Sequence, residues 1–586
     1  MALFTPSESP AVVVKEVDLT GGVPNVQSST GAFVGNFRWG PARKATLIST
    51  EAELAETFGS PNSSNNHDID YFSATQFLRY SNTLQVVREF TSTARNATAH
   101  ASNDTTVRNA DHWDEIKSTF GTDSGDTNCG AWIAKYPGQL GNSLKVSVCP
   151  VGSDSGGTYF SGWAYRTSFD AAPSTSSYAS ARSGSNDEVH VAVIDEDGEF
   201  SGTLGTVLET FPFVSLASDA KNDDGSSNYI YDVINERSAY VWLATFEGSG
   251  AGTLGALTNA GTAAASTTYS ASATGVIDIS LTLGADSGAL GTAEVATGFD
   301  LFEDVDTITV DFLIAPGMSS RGDQTTVVND LITTAGTTRK DCIVVTSPAR
   351  SDIVNSSTPN ANAITTADTF TNSSYLVVDN NYLKVYDKFN DKYIFIPGAS
   401  STAGIMAGTD TNFAPWFSPA GPRRGQYLGI TSLSYNPTKA ERDSLYKASV
   451  NPIANIPGQG VLLFGDKTGM NRPSAFDRIN VRRLFLVLER AIGEAAKNVL
   501  FEFNDEFTRA EFVNIIEPVL REVKGRRGIT DFRVVADETN NTAAVIDRNE
   551  FIASIFIKPA RSINYITLNF VAVRTGVSFE EVVGTV

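Results

Sequence analysis

The sequence predicts a multidomain protein of mixed α+β and α/β class, and three observations lead there. At 586 residues the chain exceeds the roughly 250–300 residues at which a single hydrophobic core stops growing, so three or four domains are expected. Apolar residues recur with period two in some stretches and period 3.6 in others. A Ser/Thr/Gly/Asp-rich region with closely spaced turn residues separates two regions that read as strands alternating with helices.

Residues 1–24 read as an extended arm. Pro6 and Pro10 preclude an early helix. Val12, Val13, Val14 and Val17 then form one short strand, and Thr20-Gly21-Gly22 breaks it. That strand has no sequence-local partner, so its backbone groups must bond elsewhere. Residues 25–95 read as compact α/β. They hold a buried strand at 31–35, a helix with capping-box spacing at Thr50 and Glu53 and a stop at Gly59, a second helix over 71–80, and a returning strand at 84–88.

Residues 96–246 read as an inserted β-rich domain, with strands at 144–149 and 189–194. Residues 247–298, low in aromatics and charge, are expected to be a linker or an irregular exposed segment. Over 299–397 a strand at 307–310, a helix at 325–334 and a strand at 342–345 predict a βαβ layer. Residues 398–575 are the most strongly patterned. Thr438 with Glu441, and Thr508 with Glu511, have capping-box spacing. Val481, Leu484, Phe485, Leu488, Ile492, Ala495 and Val499 mark one buried helical face. Phe512, Ile515, Ile516, Val519 and Leu520 mark another, with Pro518 an expected kink. Strands are expected at 551–557 and 563–573. The tail at 576–586 alternates through Val577, Phe579 and Val582, again without a local partner.

The formal net charge is −22, from 66 acidic against 44 basic residues. That excess opposes binding to nucleic acid, where cations must neutralise phosphates. No apolar run reaches the roughly 18 residues of a membrane span, and no signal peptide is expected. Cys129, Cys149 and Cys342 are an odd, sparse set that fits reduced thiols in a cytosol.

Motifs with chemical meaning are weak. His67, His100, His112 and His190 have no metal-ligand spacing and read as isolated surface or loop residues. In Gly460-Val461-Leu462-Leu463-Phe464-Gly465-Asp466-Lys467-Thr468 the acid displaces the lysine that a phosphate-binding loop needs after its second glycine. Asp195-Glu196-Asp197-Gly198 lacks calcium-loop spacing. Arg321-Gly322-Asp323 is a three-residue match to an adhesion tripeptide. Glycines 248, 250, 252 and 255 do not separate a strand from a helix, so they make no dinucleotide fingerprint. No catalytic, metal or cofactor-binding residue is therefore expected.

Several segments together resemble the tail sheath protein family of contractile (myovirus) bacteriophages. They are PGQGVLLFGDKTG (457–469), INVRRLFLVLERAIGEAAKNVLFEFND (479–505), KYIFIPGASSTAGIMAGTD (392–410), AKYPGQLGNSLKVSV (134–148) and LETFPFVSLASDA (208–220). The chain departs from the family pattern at Phe464, where Trp is usual, and at Asp466 and Lys467. The resemblance implies an α/β core built from both chain ends, with inserted domains facing outward. It implies a structural, non-enzymatic subunit that stacks as hexameric rings around an inner tail tube protein and contracts to drive the tube through the host envelope for genome ejection. Further implied partners are other copies of itself and the baseplate and tail terminator proteins, with no nucleic acid or membrane insertion. The location implied is the virion tail sheath, assembled in the host cytoplasm. The terminal strands would then pair with neighbouring subunits. The family places its late helix on the inner wall, so Arg521, Lys524, Arg526 and Arg527 are candidate tube contacts; their other reading is as cations favouring a helix C-terminus. The alternatives are the sheath of a bacteriocin-like or secretion-type injection machine, an α/β hydrolase, which needs a positioned nucleophile and base, and a surface adhesin, which needs a secretion signal.

Overall fold

The computed structural model describes residues 29–100, 105–119, 130–154, 157–246, 254, 257–271 and 275–564. These fall into two units, one of 29–415 with 419–482 and the other of 416–418 with 483–564.

The larger unit opens with β1 (Gly31–Gly35), buried along its whole length, followed by β2 (Thr46–Ile48) and α1 (Glu51–Phe58). Thr50 caps α1 as its spacing predicts. Its hydroxyl accepts from Glu53 N at 3.2 Å, and the Glu53 carboxylate accepts from Ser49 N at 2.8 Å. Gly59 ends the helix at a φ of 76°, a conformation that favours glycine. α2 (His67–Leu78) starts at His67 and not at 71. Its buried positions run all round the helix, so acids that look like loop residues lie inside it. Asp68 pairs with Lys392 at 2.6 Å, and Asp70 accepts from Asn36 N at 2.8 Å. β3 (Leu84–Arg88) then lies parallel to β1 and antiparallel to β2.

Here the chain leaves the sheet and builds an inserted domain. Its elements are β4 (Asn96–Thr98), β5 (Trp132–Pro137), β6 (Leu144–Pro150), β7 (Glu188–Asp195), β8 (Thr206–Ser215), α3 (Ile230–Arg237), β9 (Val241–Leu243) and β10 (Ile277–Ser280). Two antiparallel sheets, ordered β8-β7-β6-β10 and β9-β5-β4, share one core around Trp132, Val146, Val191, Val193, Phe211 and Ile234. Entry and exit run side by side, with Thr98 bridged to Thr282 and Arg95 to Ala285. At the same corner the buried Arg88 donates to the carbonyls of Phe37 and Gly40, each at 2.8 Å, and to that of Pro137 at the end of β5.

The expectation of a linker over 247–298 is corrected. Leu254, Leu257, Ala264, Tyr269, Ile279 and Leu281 are buried in the inserted domain's core, and β10 pairs with β6 through Ile277 and Val148. One apolar residue every few positions among Ala, Gly and Thr is too sparse to register as a pattern, yet it is enough to close a core whose other residues come from distant strands.

α4 (Thr292–Asp300) returns the chain to the first sheet, where β11 (Phe312–Ile314) lies parallel to β1 on the side opposite β3. The strand predicted at 307–310 thus starts at Phe312, because the carboxylate of Asp304 folds Asp306 and Thr307 into a turn. α5 (Arg321–Thr333), β12 (Ile343–Thr346), α6 (Pro359–Thr369) and β13 (Leu376–Val378) complete the sheet. Its order is β13-β12-β11-β1-β3-β2, parallel except for β2. The βαβ pattern read in the later sequence is therefore the second half of a sheet begun before the insertion.

Alternation along the strands supplies both faces of this sheet. Ala32, Val34, Leu313 and Val344 share a core with Val295 and Phe299 of α4 and Val327 and Leu331 of α5. Gly298 lets α4 press on β1, since a Cβ there would stand 2.5 Å from Val34 Cγ1. On the opposite face Phe77 of α2 meets Phe312, with ring centroids 6.4 Å apart. Burying such a ring contributes roughly 1.5–3 kcal/mol.

The hairpin of β14 (Tyr382–Asp387) and β15 (Lys392–Pro397) follows, then α7 (Ala399–Asn412). α8 (Lys439–Lys447) carries the predicted capping box of Thr438 and Glu441. After the hairpin of β16 (Ile453–Ile456) and β17 (Gly460–Leu463), α9 (Ile479–Lys497) holds both Arg482, the last residue of the larger unit, and Arg483.

The smaller unit contains α10 (Glu506–Gly525) and an antiparallel pair, β18 (Ile529–Val535) with β19 (Ser554–Pro559). Its helix is capped by Asp505, whose carboxylate accepts from Thr508 N at 2.8 Å, so Thr508 sits in the first turn. Two cap-competent residues lie three apart, and the earlier one adds a turn. Phe512, Ile516, Leu520 and Val523 are buried, and the helix runs through Pro518 to Gly525. The strand predicted at 551–557 begins at Ser554. Of the strand predicted at 563–573, residues 565–573 lie outside the described residues.

Candidate assembly surface

The basic cluster sits where α10 ends. Arg521 pairs with Glu517 at 2.6 Å, Lys524 with Asp531 at 3.0 Å and Arg526 with Glu522 at 3.5 Å. Arg526 also lies 5.1 Å over the Trp416 ring, while Trp416 Nε1 donates to its carbonyl at 3.1 Å. Arg527 is exposed, has a φ of 68°, and makes no ion pair among the described residues. The sequence marked these four as a basic cluster, read as candidate tube contacts or as cations favouring a helix C-terminus. Folding brings carboxylates from one helical turn back and from β18 onto three of the four.

Beside it, the β18–β19 sheet has two strands among the described residues. The arm residues Val12, Val13, Val14, Val17, Val577, Phe579 and Val582 lie outside the described residues.

The loop between α9 and α10, with Phe507 in the first turn of α10, carries residues that sequence reading missed. Phe501 is fully exposed, and Leu500, Phe503 and Phe507 are 62%, 85% and 77% exposed. The loop is nevertheless pinned. Asn504 Nδ2 donates to Glu550 O at 2.8 Å, and Arg509 Nη1 donates to Asn504 Oδ1 at 2.9 Å and to its carbonyl at 3.2 Å. The available signal was three large apolar residues crowded against Asn and Asp, outside the spacing of either flanking helix.

The residues considered for chemistry are spent on structure. Asp466 is buried and accepts from Arg478 Nη1 at 2.9 Å and from Tyr446 OH at 3.0 Å. Lys467 Nζ donates to Tyr446 O at 2.6 Å, and burial holds its pKa below the usual lysine value. This turn ties α8 to the start of α9 and gives the ammonium a backbone carbonyl as partner. Asp195 accepts from Ser143 Oγ at 2.6 Å, Ser201 N at 2.7 Å and Phe200 N at 3.0 Å, filling its oxygens with turn donors. Arg321 and Asp323 open α5, where Arg321 makes a bidentate pair with Asp352 at 2.8 and 2.9 Å.

Two histidines correct the expectation of surface or loop positions: His67 and His190 are buried. Burial pushes His67 down to about 4. His190 stacks on Phe169 at 4.5 Å; its Nδ1 accepts from Phe213 N at 3.1 Å, so Nε2 carries the proton donated to Ala171 O at 2.8 Å. Cys149 and Cys342 are buried free thiols, and Cys129 lies outside the described residues. No group of three or more His, Cys, Asp and Glu is placed to hold a metal among the described residues.

A doubly wound sheet opens its ligand crevice at the carboxyl ends of its strands. Here those ends are knitted shut at β12 and β13. Asp379 accepts from Ser347 Oγ at 2.8 Å, Thr402 Oγ1 at 3.0 Å and Asn381 N at 3.2 Å. Ser347 Oγ in turn accepts from Ala399 N at 2.9 Å, which seats the first turn of α7 there, with Ser400, Ser401 and Thr402 buried. The carboxyl ends of β12 and β13 are thus used for packing against α7.

Residues 288–469 match the model of the phage tail sheath protein central domain, and residues 471–572 that of the phage tail sheath C-terminal domain. The tail sheath protein of Vibrio phage KVP40 is 32% identical over 98% of this chain and 99% of its own length. That of Enterobacteria phage T4 is 32% identical with the same coverage. The crystal structure of a sheath tail protein from Listeria innocua, 12% identical, covers 92% of this chain and 94% of that one at a TM-score of 0.54, so the fold is shared. With 32% identity carried across nearly the full length of both chains, this protein belongs to the phage tail sheath protein family.

Proposed function

We propose that the chain polymerises into stacked hexameric rings around the inner tail tube, between the baseplate and the tail terminator, and contracts to drive the tube through the host envelope. The observation that carries this reading is the alignment with phage tail sheath proteins over 98% of this chain and 99% of theirs. It favours a phage tail over a bacteriocin-like or secretion-type machine. The role is structural and non-enzymatic, with energy stored in the assembled lattice.

In this reading the α/β sheet is the rigid body of the subunit, and the inserted domain of residues 96–285 faces outward. The terminal arms add as strands to sheets of neighbouring copies, and the β18–β19 pair is the acceptor. An added strand gains main-chain hydrogen bonds along its length, independent of side-chain fit. Gly21, Gly22 and Gly576 let rigid bodies reorient while the paired strands persist. Negative-stain electron microscopy of the purified protein tests the reading. Striated tubes are the expected result; a strictly monomeric protein at all concentrations overturns it.

A further inference from the structure

The loop between α9 and α10, with the first turn of α10, presents more apolar surface than a folded monomer usually tolerates. Taking about 200 Å² for a fully exposed aromatic side chain, Leu500, Phe501, Phe503 and Phe507 together leave on the order of 600 Å² of apolar area in water. Contiguous apolar patches beyond a few hundred Å² mark interaction sites, and a standard interface takes about 800 Å² from each partner. The loop is not loose chain. Asn504 is held by Glu550 and Arg509, and Phe501 is kept at a φ of 72°. A left-handed backbone at a bulky residue is costly and persists where surrounding contacts impose it. The backbone that carries the ring is therefore held in place.

The same unit also carries a hollow. A cleft of about 550 Å³ opens between α10 and the segment that follows β18, lined by Ala510, Val513 and Ala536 together with the polar residues Glu506, Arg509, Asn514, Asp537, Glu538 and Thr539. Its volume lies in the range of about 300–1,000 Å³ typical of pockets that enclose a ligand group.

We infer that Phe501 and Phe503 of one copy dock into the cleft beside Ala510 and Val513 of a second copy of this chain. Knob and hollow are different surfaces, so the contact is heterologous: each copy offers its knob to one neighbour and its hollow to another. A contact of this kind repeats into an open array unless a rotation closes it. The inference rests on the reading of the chain as a polymerising subunit and names one of its contacts.

Cross-linking between two single-site variants tests the contact directly. Phe501→Cys and Val513→Cys proteins are prepared separately, mixed and oxidised, while microscopy of the parent protein independently reports whether polymers form. The expected result is a disulfide-linked dimer in the mixture, at least tenfold more abundant than in either protein alone. A dimer formed equally well by Phe501→Cys alone means that like surfaces meet, and overturns the inference. So does a mixture without cross-links when the parent forms tubes, which means that the loop is covered by the tube protein or by residues 565–586. If the parent forms no tubes yet the mixed dimer appears, the knob-and-hollow contact stands and the sheath reading falls. As a second readout, Phe501→Ser with Phe503→Ser should reduce sedimentable polymer at least tenfold with thermal unfolding of the monomer unchanged, because both rings are exposed before assembly. Full polymer yield from that variant also overturns the inference.

Discussion

Ser347 donates its hydroxyl to Asp379 at 2.8 Å across the carboxyl ends of the neighbouring strands β12 and β13. That bond ties together the carboxyl ends of the two strands, and Asp379 there is a buried acid with a pH signature. Burial pushes its pKa up to about 7, against the opposing pull of Ser347, Asn381 and Thr402. In the unfolded chain the group titrates near 3.9. Between the two values the folded protein holds a proton that the unfolded chain has lost. Its contribution to stability is therefore full below about pH 4 and is lost as pH rises toward about 7. Asp379→Asn keeps most of the hydrogen bonds and cannot ionise. Thermal unfolding from pH 5 to 8 should show a flatter profile for it, with a melting temperature at pH 8 no lower than the parent's. Asp379→Ala should cost about 1–3 kcal/mol at any pH, because two buried hydroxyls lose their acceptor.

The inserted domain should be removable as a unit but not in part. Arg95 and Ala285 are bridged, so replacing residues 97–283 with a two-residue Asn-Gly turn joins strands that already lie side by side. Circular dichroism and thermal unfolding of that shortened chain should report an intact α/β sheet. Tyr269→Ala, by contrast, deletes a buried side chain from the inserted core and should cost that domain about 3–5 kcal/mol. An unfolded excision product, or a neutral Tyr269→Ala, would contradict this division.

If the arms exchange strands between copies, deleting residues 1–19 leaves a soluble, folded protein that no longer polymerises. Light scattering and microscopy read the outcome, and normal tubes from the truncated chain would sink the idea. If the termini contribute only main-chain pairing between copies, the melting temperature of the monomer should be unchanged.

Ion pairing at the end of α10 separates the four cations by their expected effects. Arg527 has no carboxylate partner among the described residues, so Arg527→Glu should change monomer stability by less than about 0.5 kcal/mol. It should weaken co-assembly with tubes if this face meets an acidic tube surface. Arg521→Glu breaks the exposed pair with Glu517 and should cost about 0.3–0.5 kcal/mol of helix stability. Raising salt should weaken the tube contact in the parent and leave the Arg527→Glu protein less affected. Equal tube assembly by parent and variant at every salt concentration places the contact elsewhere.

At the turn after β17, contraction without nucleotide is the expectation. Lys467→Met loses the bond to Tyr446 O and should lower stability by about 1 kcal/mol without affecting tube formation. Saturable ATP binding that disappears in this variant would reverse that reading.

What the sequence determined by itself is whatever rests on local periodicity and capping. The mixed α/β class, the strands at 31–35 and 84–88, the N-cap at Thr50, the capping box at Thr438, and the apolar stripe of α10 were all legible. The family was legible too, because its motifs follow one another along the chain. Tertiary structure alone decided the rest, and the reason is long-range pairing. β1 finds β11 across an insertion, 247–298 becomes core because β10 meets β6, and α2 hides acids that Lys392 and Asn36 satisfy from afar. The exposed aromatics at 501 and 503 belong to the same class. Burial is a property of what surrounds a residue in space, and neither periodicity nor composition can report a neighbour that the chain reaches only after folding.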